Sequence, residues 1–411
     1  MLIFISYFSG IAGMVMSEWA EDKLIVAESL FQRTYLITSI AADNRIRENV
    51  TVLKVPSLSW KDFCWELSNK SKLTKCGILS LILWYPISDT IGRLWDFVFS
   101  KISINSAARW SWAFTAFIAV LFVKVRHPKA VLFATGGATG GHLSALFTRL
   151  ISKGKIFLEF QDPLIGSEML RSDLNQKLIS KLEGIFISCS TRTVYVTDKA
   201  AKAALERHQK YCSKIVRIYP GAWDYSVNQR QALLRVNQHI EFLHLGTLYG
   251  ERNLDRFFLA LDNLRSTGYK HAERVKVKNL GDLYLENKAS YLNRPDFEIL
   301  PSRIRSQALQ RAFEADALLL VQHADSRSNE TIPYKTYDYL NLKKPIFGIV
   351  NNSELEILLD SNSHFLANAT SVESIQQILM KFLTYYDLNE NLQTPNESAF
   401  RIDRQFAKIF E

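Results

Sequence analysis

Residues 317–350, "ALLLVQHADSRSNETIPYKTYDYLNLKKPIFGIV", decide the fold of this chain. The stretch begins with a short apolar run and ends with another. Between the two runs, a polar loop leads into a segment with the apolar spacing of a helix. A buried strand, a helix and a second buried strand in this order form the unit from which parallel sheets are built. Residues 317–350 therefore predict one βαβ unit of an α/β domain.

The same alternation of short apolar runs and helix-length segments extends over the rest of the chain. In the N-terminal half the predicted strands are "LIFISYF", "RTYLITS", "VTVLKVP", "AVLFATG", "IFLEFQD", "GIFISCS", "TVYVTD" and "IVRIYPG". In the C-terminal half they are "EFLHLGTLY", "RVKVKNLG", "FEILP", "ALLLVQ", "PIFGIV" and "HFLANA". Helical segments such as "SALFTRLISKG" and "DKAAKAALERH" lie between the strands. The pattern predicts α/β domains with parallel sheets.

The length of 411 residues is too great for one ordinary hydrophobic core and indicates two domains. The polar stretch "DYSVNQRQALLRVNQH" has no strand pattern and is the natural linker. We predict two tandem Rossmann-like domains that face a central cleft, because ligands of open α/β sheets bind at the carboxyl ends of the strands. The predicted parts are an N-terminal domain (1–224), a linker (225–238), a C-terminal domain (239–395) and a C-terminal helix (396–411) that packs back on the N-terminal domain.

The excess positive charge lies in the N-terminal half of the chain. Residues 1–225 contain 28 Lys and Arg against 18 Asp and Glu, whereas the remainder contains 22 against 23. No carboxylate side chain occurs between Asp96 and Glu159. Such a patch favours an anionic partner, which could be membrane lipid, a phosphate-bearing substrate or nucleic acid. Because the basic residues alternate with long apolar runs, we disfavour nucleic acid.

One basic and aromatic stretch, "RWSWAFTAFIAVLFVKVRHPK" (109–129), has the composition of a helix that lies at a membrane surface. Tryptophan suits the lipid interface, and the stretch carries two at one end and three cations at the other, namely Trp110, Trp112, Lys124, Arg126 and Lys129. Its apolar part is shorter than the about 20 residues that span a bilayer. The alternative is a helix buried against the first sheet, since the stretch is apolar almost all round.

The beginning of the chain and its cysteines suggest an intracellular protein. "MLIFISYFSGIAGMVMSEWA" lacks the basic start of a signal peptide, so we interpret it as a first strand that enters a glycine-containing loop. The four cysteines are scattered and form no C-x-x-C pair. This usage indicates a reducing compartment and argues against a structural zinc site.

Two loops of the C-terminal half suggest a pocket for a diphosphate. In the quoted stretch Pro333 lies near the predicted start of the helix, where backbone N–H groups favour an anion, and Lys335 adds a positive charge. In "FLHLGTLYGERNLDRFFLAL" (242–261), Gly246 ends a strand and Arg252 follows in the turn, where it can hold phosphate oxygens. A solvated surface helix with Lys335 and Asp338 is the alternative for the first loop, and an ordinary turn is the alternative for the second.

A glycine-rich loop of the N-terminal half suggests where a second substrate binds. "VLFATGGATGGHLSALF" (131–147) predicts a strand, a loop and a helix with His142 at its start. The loop could hold a phosphate group, although its glycine spacing does not match a dinucleotide fingerprint. His142 is a candidate base or a capping residue. Asp162, at the end of a strand, is a candidate base or a turn residue.

Several motifs resemble those of family-four-type glycosyltransferases with the GT-B fold. "LGTLYGERNLDRFFLAL" is similar to their phosphate loop, and "ADALLLVQ…ETIPYKTYDYLNLKKPI" is similar to their segment with the E-x7-E motif, here Glu330-x7-Asp338. "IYPGAWD", "VYVTDKAAKAAL" and "FLEFQDPL" resemble further segments, the last one in the enzymes of bacterial polysaccharide synthesis. "IFISYFSGIAG" resembles their first strand and glycine-rich loop. The motifs are loose, but they occur in the family's order over nearly the whole chain.

The resemblance implies a role for each matching residue. Arg252 would take the position of the lysine that binds the diphosphate, and Asp338 and Glu330 would contact the ribose and the donor sugar. The other implied donor-binding residues are Gly246, Thr247, Thr331, Ile332, Pro333 and Lys335. The implied acceptor-loop glycines are Gly10, Gly13, Gly136 and Gly137. Asp162, His142 and Glu330 are the catalytic candidates.

The resemblance also implies a reaction without a metal or another cofactor. No D-x-D stretch occurs in the chain, so Arg, Lys and helix dipoles would stabilise the leaving diphosphate. The chain departs from the family at Thr247, where many relatives carry a second phosphate-binding Arg, at Asn253, where Gly is usual, and in having Arg252 and Asp338 for Lys and Glu. His244 and His323 lie at predicted strand ends near the pocket, and we interpret both as structural.

The function that these features predict is that of a retaining, metal-independent glycosyltransferase of the hexosyltransferase type. It would move a sugar from a nucleotide diphosphate sugar to a polyprenyl-linked saccharide in the assembly of a cell-surface polysaccharide. The enzyme would be cytoplasmic and bound to the anionic inner face of the plasma membrane. The alternatives are a nucleotide-sugar epimerase of the same fold and a non-enzymatic protein that binds an anionic surface.

Overall fold

The computed structural model describes residues 1–11, 14–43, 47–69, 90–91, 94, 109–166, 173–225, 239–359, 364–387 and 400–411. They form two compact units. The first contains Met1–Tyr219 together with Ile402–Glu411, and the second contains Pro220–Arg401. Of the predicted linker, only Tyr225 is described, and it belongs to the second unit. Gly13 lies outside the described residues.

The first unit is built on a parallel sheet of seven strands in the order β3-β2-β1-β4-β5-β6-β7. The strands are β1 (Leu2–Ile5), β2 (Thr34–Ser39), β3 (Val50–Val55), β4 (Val131–Ala134), β5 (Ile156–Phe160), β6 (Arg192–Tyr195) and β7 (Ile215–Arg217). The helices are α1 (Val15–Leu30), α2 (Trp60–Ser68), α3 (Trp112–Arg126), α4 (Thr139–Ile151), α5 (Asp173–Cys189), α6 (Asp198–Arg207) and, near the other end of the chain, α13 (Ile402–Ala407). The strand order reverses between β1 and β4, where ligands of such sheets bind.

Successive side chains of β1 pack on opposite faces of this sheet, as the two-residue period of a strand requires. Ile3 and Ile5 belong to the core that contains the buried Trp112 of α3. Phe4 packs instead against Phe133 of β4, with ring centroids 5.2 Å apart. On that side Phe406 contacts Phe133 at 5.3 Å. The final described segment thus completes the core of the first unit.

The predicted strand "GIFISCS" is wrong, because residues 184–190 form the end of α5 and the residue that follows it. Ile179, Phe186 and Ile187 are buried, whereas Ile185 is 47% exposed. A separation of seven to eight residues brings buried side chains to one face of a helix after two turns. The apolar run looks like a strand only when the helical period before it is disregarded.

The second unit is built on a parallel sheet of six strands in the order β12-β10-β8-β13-β14-β15. The strands are β8 (Ile240–Leu245), β10 (Val275–Leu280), β12 (Phe297–Leu300), β13 (Ala317–Val321), β14 (Ile346–Val350) and β15 (Phe365–Asn368), and a small parallel pair comprises β9 (Leu248–Tyr249) and β11 (Leu283–Tyr284). The helices are α7 (Asp255–Ser266), α8 (Lys288–Leu292), α9 (Arg305–Glu314), α10 (Lys335–Asn341), α11 (Ser353–Leu359) and α12 (Val372–Asp387). The other predicted strands of both halves are present, and most successive strands of the two sheets are joined through a helix.

The order of this second sheet reverses between β8 and β13. These two strands pair only at Ala317 with Phe242 and at Leu318 with Leu243, so they diverge before β8 ends at Leu245. Divergence leaves a crevice at the carboxyl ends of both strands. Among the helices of the described residues, none combines the length and the hydropathy that a bilayer crossing needs.

Candidate functional site

Side chains of α10 fill the gap where β8 and β13 diverge. The Lys335 ammonium group donates to the carbonyl oxygen of Leu245 at 2.8 Å, and the Leu245 N–H donates to the hydroxyl oxygen of Tyr339 at 3.0 Å. Lys335 and Tyr339 are four residues apart and therefore lie on one face of the helix. The unpaired backbone of the strand end is satisfied in this way, and Lys335 is held in the crevice.

Helix α10 begins close to its predicted start. It starts at Lys335, and Pro333 precedes it in a tight turn in which the Thr336 N–H donates to the Pro333 carbonyl at 2.9 Å. Thr331 and Ile332 belong to the loop after β13, where the Gln322 amide donates to the Thr331 carbonyl at 3.2 Å. Thr331, Ile332, Pro333 and Glu330 are all half-buried in this loop.

Two basic side chains, those of Lys335 and Arg252, lie close together in the crevice. The pKa of Lys335 lies far below its usual range because the ammonium group is buried and because Arg252 is close. The Arg252 guanidinium stacks over the Tyr249 ring at 5.1 Å, and its Nε atom is buried without a hydrogen-bond partner in the described part of the chain. A buried, unsatisfied charged donor is costly, so an anion that accepts from Arg252 would be bound favourably.

Two buried histidines add no positive charge to this crevice near neutral pH. His244 lies at the end of β8, and its pKa is far below the usual range because of burial and because Lys335 and Arg252 are near. His323 follows β13, and burial together with Arg252 and Arg327 lowers its pKa to about 4. The Arg327 guanidinium itself forms an ion pair with Asp325 at 2.7 Å. The crevice therefore presents Arg252 and Lys335 beside neutral imidazoles.

The backbone at Gly246 is open to a ligand. This residue has a φ of +103°, and a Cβ atom built on it would have no atom of the other described residues within 4 Å. On its other side the chain is crowded, since a Cβ atom on Gly281 would lie 2.6 Å from the Gly246 backbone. Gly246 is exposed, and Thr247 after it is half-buried. The open space lies at the end of β8, next to the Leu245 carbonyl that Lys335 contacts.

Asp338 is the member of the predicted donor site whose surroundings differ most from expectation. Its carboxylate is buried and accepts from Arg305 Nη2 at 2.6 Å, from Arg305 Nε at 3.3 Å and from the Tyr225 hydroxyl at 3.1 Å. The two-point contact with Arg305 is a strong, oriented ion pair. A ribose hydroxyl would therefore have to share these oxygens with Arg305.

We expect Asp338→Asn to lower the free energy of unfolding by about 1–3 kcal/mol, because it replaces the charged partner of Arg305 with a neutral amide in a largely buried position. If the carboxylate faced only a ligand, the same substitution would leave the free energy of unfolding unchanged. Chemical unfolding followed by circular dichroism measures it. The variant Arg305→Gln should lose a similar amount, and the double variant should lose less than the sum of the two. If the stability losses of the two single variants add up fully in the double variant, Asp338 and Arg305 do not stabilise the fold as a pair.

A cavity of about 330 Å³ lies on the other flank of β8. It is lined by Leu280 and Leu300 at the ends of β10 and β12 and, among others, by Pro301, Arg303 and Gln307. The Gly246 N–H donates to the Leu280 carbonyl at 2.8 Å, so the cavity begins next to the open glycine. Arg305, the partner of Asp338, is two residues from Arg303. Crevice, Asp338 and cavity thus follow one another along the carboxyl edge of this sheet.

The glycine loops of the first unit lie where its strand order reverses. Gly136 follows β4 with a φ of +111°, and a Cβ atom there would lie 3.3 Å from Ser6 Oγ, just after β1. A Cβ atom on Gly137 would collide with Met16 Sδ at 2.5 Å. Gly10 has a φ of +82° and packs against Ala42. At each of these positions, close packing within the protein is thus one reason why glycine occurs there.

The two catalytic candidates of the first unit differ in accessibility. His142 is 1% exposed, its ring stacks on Phe160 at 4.5 Å, and its Nε2 atom is 2.7 Å from the Glu159 carbonyl. Burial lowers its pKa. This arrangement is that of a packing residue. Asp162 is exposed just after β5, although the protein around it raises the pKa of its carboxyl group by reducing hydration.

Three residues of the second unit gained importance only with the structure. Asn279 and His244 form a buried hydrogen-bonded pair beside Lys335, and Arg305 pairs with Asp338. The sequence alone favours a structural role for His244, and no motif includes the other two. A polar residue in an apolar strand, as in "VKVKNL", is the available signal for Asn279. Among the described residues, no three His, Cys, Asp or Glu side chains are grouped in a way that could hold a metal ion.

Comparison with known proteins shows the fold. No protein-family model and no curated protein matches the sequence. Among solved structures, HepE from Anabaena in complex with UDP-glucose is 12% identical, with a TM-score of 0.63 over 100% of this chain and 98% of that one. Sucrose-phosphate synthase from Thermosynechococcus elongatus is 9% identical, with a TM-score of 0.65 over 100% and 98%. WaaG, a glycosyltransferase involved in lipopolysaccharide biosynthesis, is 13% identical, with a TM-score of 0.58 over 100% and 99%. The predicted GT-B-type α/β fold is thus confirmed.

Proposed function

We propose that this protein is a glycosyltransferase that uses a nucleotide diphosphate sugar as the donor. The observation that carries the proposal is the pairing of Arg252 and Lys335 in the crevice between β8 and β13, next to the open backbone of Gly246. A diphosphate supplies negative charge for both side chains and an acceptor oxygen for Arg252 Nε, which has none among the described residues. The solved structures of the same fold include HepE with UDP-glucose, which supports this class of ligand.

The donor would lie along the carboxyl edge of the second sheet. We place the diphosphate at Gly246, Arg252 and Lys335, with backbone contacts from Thr247 and from the loop formed by Thr331, Ile332 and Pro333. The ribose would reach Asp338, and the base would enter the cavity near Arg303. Glu330, in the loop after β13, would face the donor sugar. Along the edge of the sheet, the crevice, the Asp338 carboxylate and the cavity follow one another in the same order as the phosphates, the ribose and the base of such a donor.

We further propose a retaining reaction without a bound metal. When the bond between sugar and diphosphate breaks, negative charge grows on the leaving phosphate. Arg252 and Lys335 are fixed near that position and would stabilise the charge without reorganising. The acceptor would be a lipid-linked saccharide in the assembly of a cell-surface polysaccharide, and Asp162 with the loops at Gly10 and Gly136 would serve it. The resemblance of the motifs supports this part of the proposal.

The experiment that tests the proposed function is a binding and turnover screen of the purified protein. Thermal unfolding is measured with a panel of nucleoside diphosphates, nucleotide sugars and free nucleosides, since a ligand of the folded state raises the midpoint by mass action. Incubation with radiolabelled donor and extracted membranes then shows whether the sugar moves to lipid. If none of the phosphorylated nucleotides raises the unfolding midpoint, the proposal is contradicted. Recovery of the label in an epimer of the donor would assign the protein to the epimerases.

We expect Asp162→Ala to abolish transfer and to leave donor affinity unchanged, because Asp162 belongs to the first unit. His142→Ala should lower stability through the loss of the stack on Phe160, with transfer retained in the folded fraction. Transfer assays at saturating donor, with unfolding curves for both variants, separate these effects. If Asp162→Ala retains full activity, the base lies elsewhere.

We also propose that the first unit docks on an anionic membrane surface through one face of α3. This face carries an exposed apolar row, Phe114, Ile118, Phe122 and Val125, with exposed fractions of 44–81%. The spacing of three to four residues places the row on one side of the helix. At the end of the neighbouring α4, Leu150 and Ile151 are also exposed. Apolar side chains in such a row can enter the interface of a bilayer.

Exposed cations lie at the C-terminal ends of α3 and α4 and in the loops that follow, and they make an anionic lipid surface the fitting partner of the apolar row. They are Arg126, Lys129, Arg149, Lys153 and Lys155, and each cation near anionic lipid adds about 1 kcal/mol. Two sequence expectations are wrong here. Trp110 and Trp112 are buried, with the Trp112 indole donating to the Val55 carbonyl at 3.0 Å. Lys124 is buried as well and donates to the Ala130 carbonyl at 2.7 Å, because this contact ties the helix end to β4.

The test of docking is the triple variant Arg126→Glu, Lys129→Glu and Arg149→Glu, which leaves the buried Lys124 in place. We expect it to lose binding to vesicles that contain anionic lipid, with an unfolding curve close to that of the parent. The matched control reverses three exposed cations of the second unit, namely Lys270, Lys288 and Lys381, and should still bind. Vesicle co-sedimentation decides the question. A parent protein that never binds such vesicles would rule out the docking surface.

A further inference from the structure

We propose that His244 and Asn279 are a positioning pair for Lys335, and that they hold its ammonium group at the phosphate-binding crevice in one fixed orientation. The inference rests on the proposed function, since it concerns how the crevice holds a phosphate. It goes beyond the motifs, which assign nothing to His244 or Asn279. Both side chains are fully buried, at adjacent positions of the paired strands β8 and β10.

The hydrogen bonds determine which nitrogen of His244 carries the proton. Asn279 donates through Nδ2 to the Gly281 carbonyl at 2.8 Å, which leaves its Oδ1 atom as an acceptor. His244 Nδ1 lies 2.6 Å from that oxygen and must therefore be the N–H donor. In a neutral imidazole the other nitrogen, Nε2, is then an acceptor, and the Lys335 ammonium group donates to it.

These hydrogen bonds fix the orientation of the Lys335 ammonium group. Two of its three N–H bonds are used by His244 Nε2 and the Leu245 carbonyl, both at the end of β8. Because the donors of an ammonium group are arranged tetrahedrally, fixing two of them fixes the third. The chain of contacts ends at Gly281, whose backbone packs against Gly246. The orientation of the Lys335 ammonium group and the backbone conformation at Gly246 therefore depend on one connected group of residues.

Burial alone does not distinguish a positioning role of His244 from a purely structural one. The two roles differ in whether the effect of replacing His244 on phosphate binding depends on Lys335. If the imidazole only fills space, a phenylalanine of similar shape would retain phosphate binding. If it positions Lys335, its removal should weaken phosphate binding only while Lys335 is present. A double-mutant cycle separates the two cases, since residues that act through one another show non-additive effects.

The experiment measures the affinity of the full chain for inorganic pyrophosphate and for UDP by calorimetry. We expect His244→Phe to weaken both by at least tenfold, and Asn279→Leu to act in the same direction. His244→Gln, whose amide oxygen can accept from Lys335, should recover part of the affinity. In a Lys335→Met background, His244→Phe should have no further effect. The control His364→Phe replaces another buried histidine of the second unit and should bind like the parent.

A spectroscopic readout tests the pair without any ligand. Long-range proton–nitrogen correlation spectra of histidine-labelled protein should show His244 as a neutral imidazole with the proton on Nδ1, and Asn279→Leu should abolish that preference. The Nε2–H tautomer in the parent would overturn the inference. So would tight pyrophosphate binding by His244→Phe, or additive losses in the cycle. A parent that binds neither pyrophosphate nor UDP would overturn the proposed function together with this inference.

Discussion

Replacing Arg252 with alanine is expected to weaken the binding of a nucleoside diphosphate by about 1.5–3 kcal/mol, the range for hydrogen bonds to charged groups. This corresponds to a roughly ten- to hundredfold rise in Kd. Arg252 stacks over Tyr249 and keeps a buried Nε donor that no described residue accepts from. A phosphate oxygen is the acceptor that this donor lacks, so the loss should fall on phosphorylated ligands alone.

The control for this prediction is Arg256→Ala. Arg256 lies four residues further along, at the start of α7, and is partly exposed, with Glu251 3.8 Å away. Its removal takes away the same charge and should leave the affinity nearly unchanged, because exposed charges are screened by water and salt. Calorimetric titrations with UDP, GDP and the corresponding nucleosides provide the comparison. If Arg252→Ala and its parent bind these diphosphates equally, the phosphates do not bind in the crevice.

The second large effect concerns stability. Lys23 of α1 and Glu159 of β5 form an ion pair in which each side chain is only 2% exposed. The Thr135 hydroxyl also donates to Glu159. Lys23→Met should lower the free energy of unfolding by about 3–5 kcal/mol, because it leaves a carboxylate buried without its cation. Tryptophan fluorescence during urea unfolding is a suitable measurement, since seven of the eight tryptophans lie in residues 1–219.

Two further variants show whether the cause is the unpaired charge. The double variant Lys23→Met with Glu159→Leu should recover much of the loss, because a buried ion pair and a well-packed apolar pair can be similarly stable. Lys202→Met breaks the exposed pair with Asp198 and should cost no more than about 0.5 kcal/mol. A small loss in Lys23→Met would show that the pair contributes little, and a loss that the double variant does not recover would show that the unpaired carboxylate is not its cause.

The strands were predictable because most of them are continuous apolar runs, as expected for a sheet covered on both faces. "ALLLVQ" and "IFGIV" have this pattern, and both are buried strands. "GIFISCS" has it too, but belongs to a helix whose apolar face repeats every seven to eight residues. Local composition alone could not separate the two, because Ile179, which shows the helical period, lies outside the short run.

The candidate site was predictable in part. Lys335 and Arg252 were found because they follow strands whose carboxyl ends meet in the crevice. The partners of these residues were not, because sequence separation hides them. Arg305 lies 33 positions before Asp338, and Lys335 lies 91 positions after His244. Their pairing follows from the order of strands in the sheet, which local periodicity does not contain.

The return of residues 402–411 to the first unit has a consequence for folding during synthesis. Phe406 and Phe410 cover Phe133 and Phe157, but about 180 residues of the second unit are translated in between. At typical synthesis rates of about 5–20 residues per second, that interval lasts roughly 10–40 s. For that time Phe133 and Phe157 of the ribosome-bound chain lack the contacts with Phe406 and Phe410 that they make in the folded protein. We therefore expect chaperones that recognise apolar surface to bind nascent chains that end near residue 400 and to release them once residue 410 has emerged.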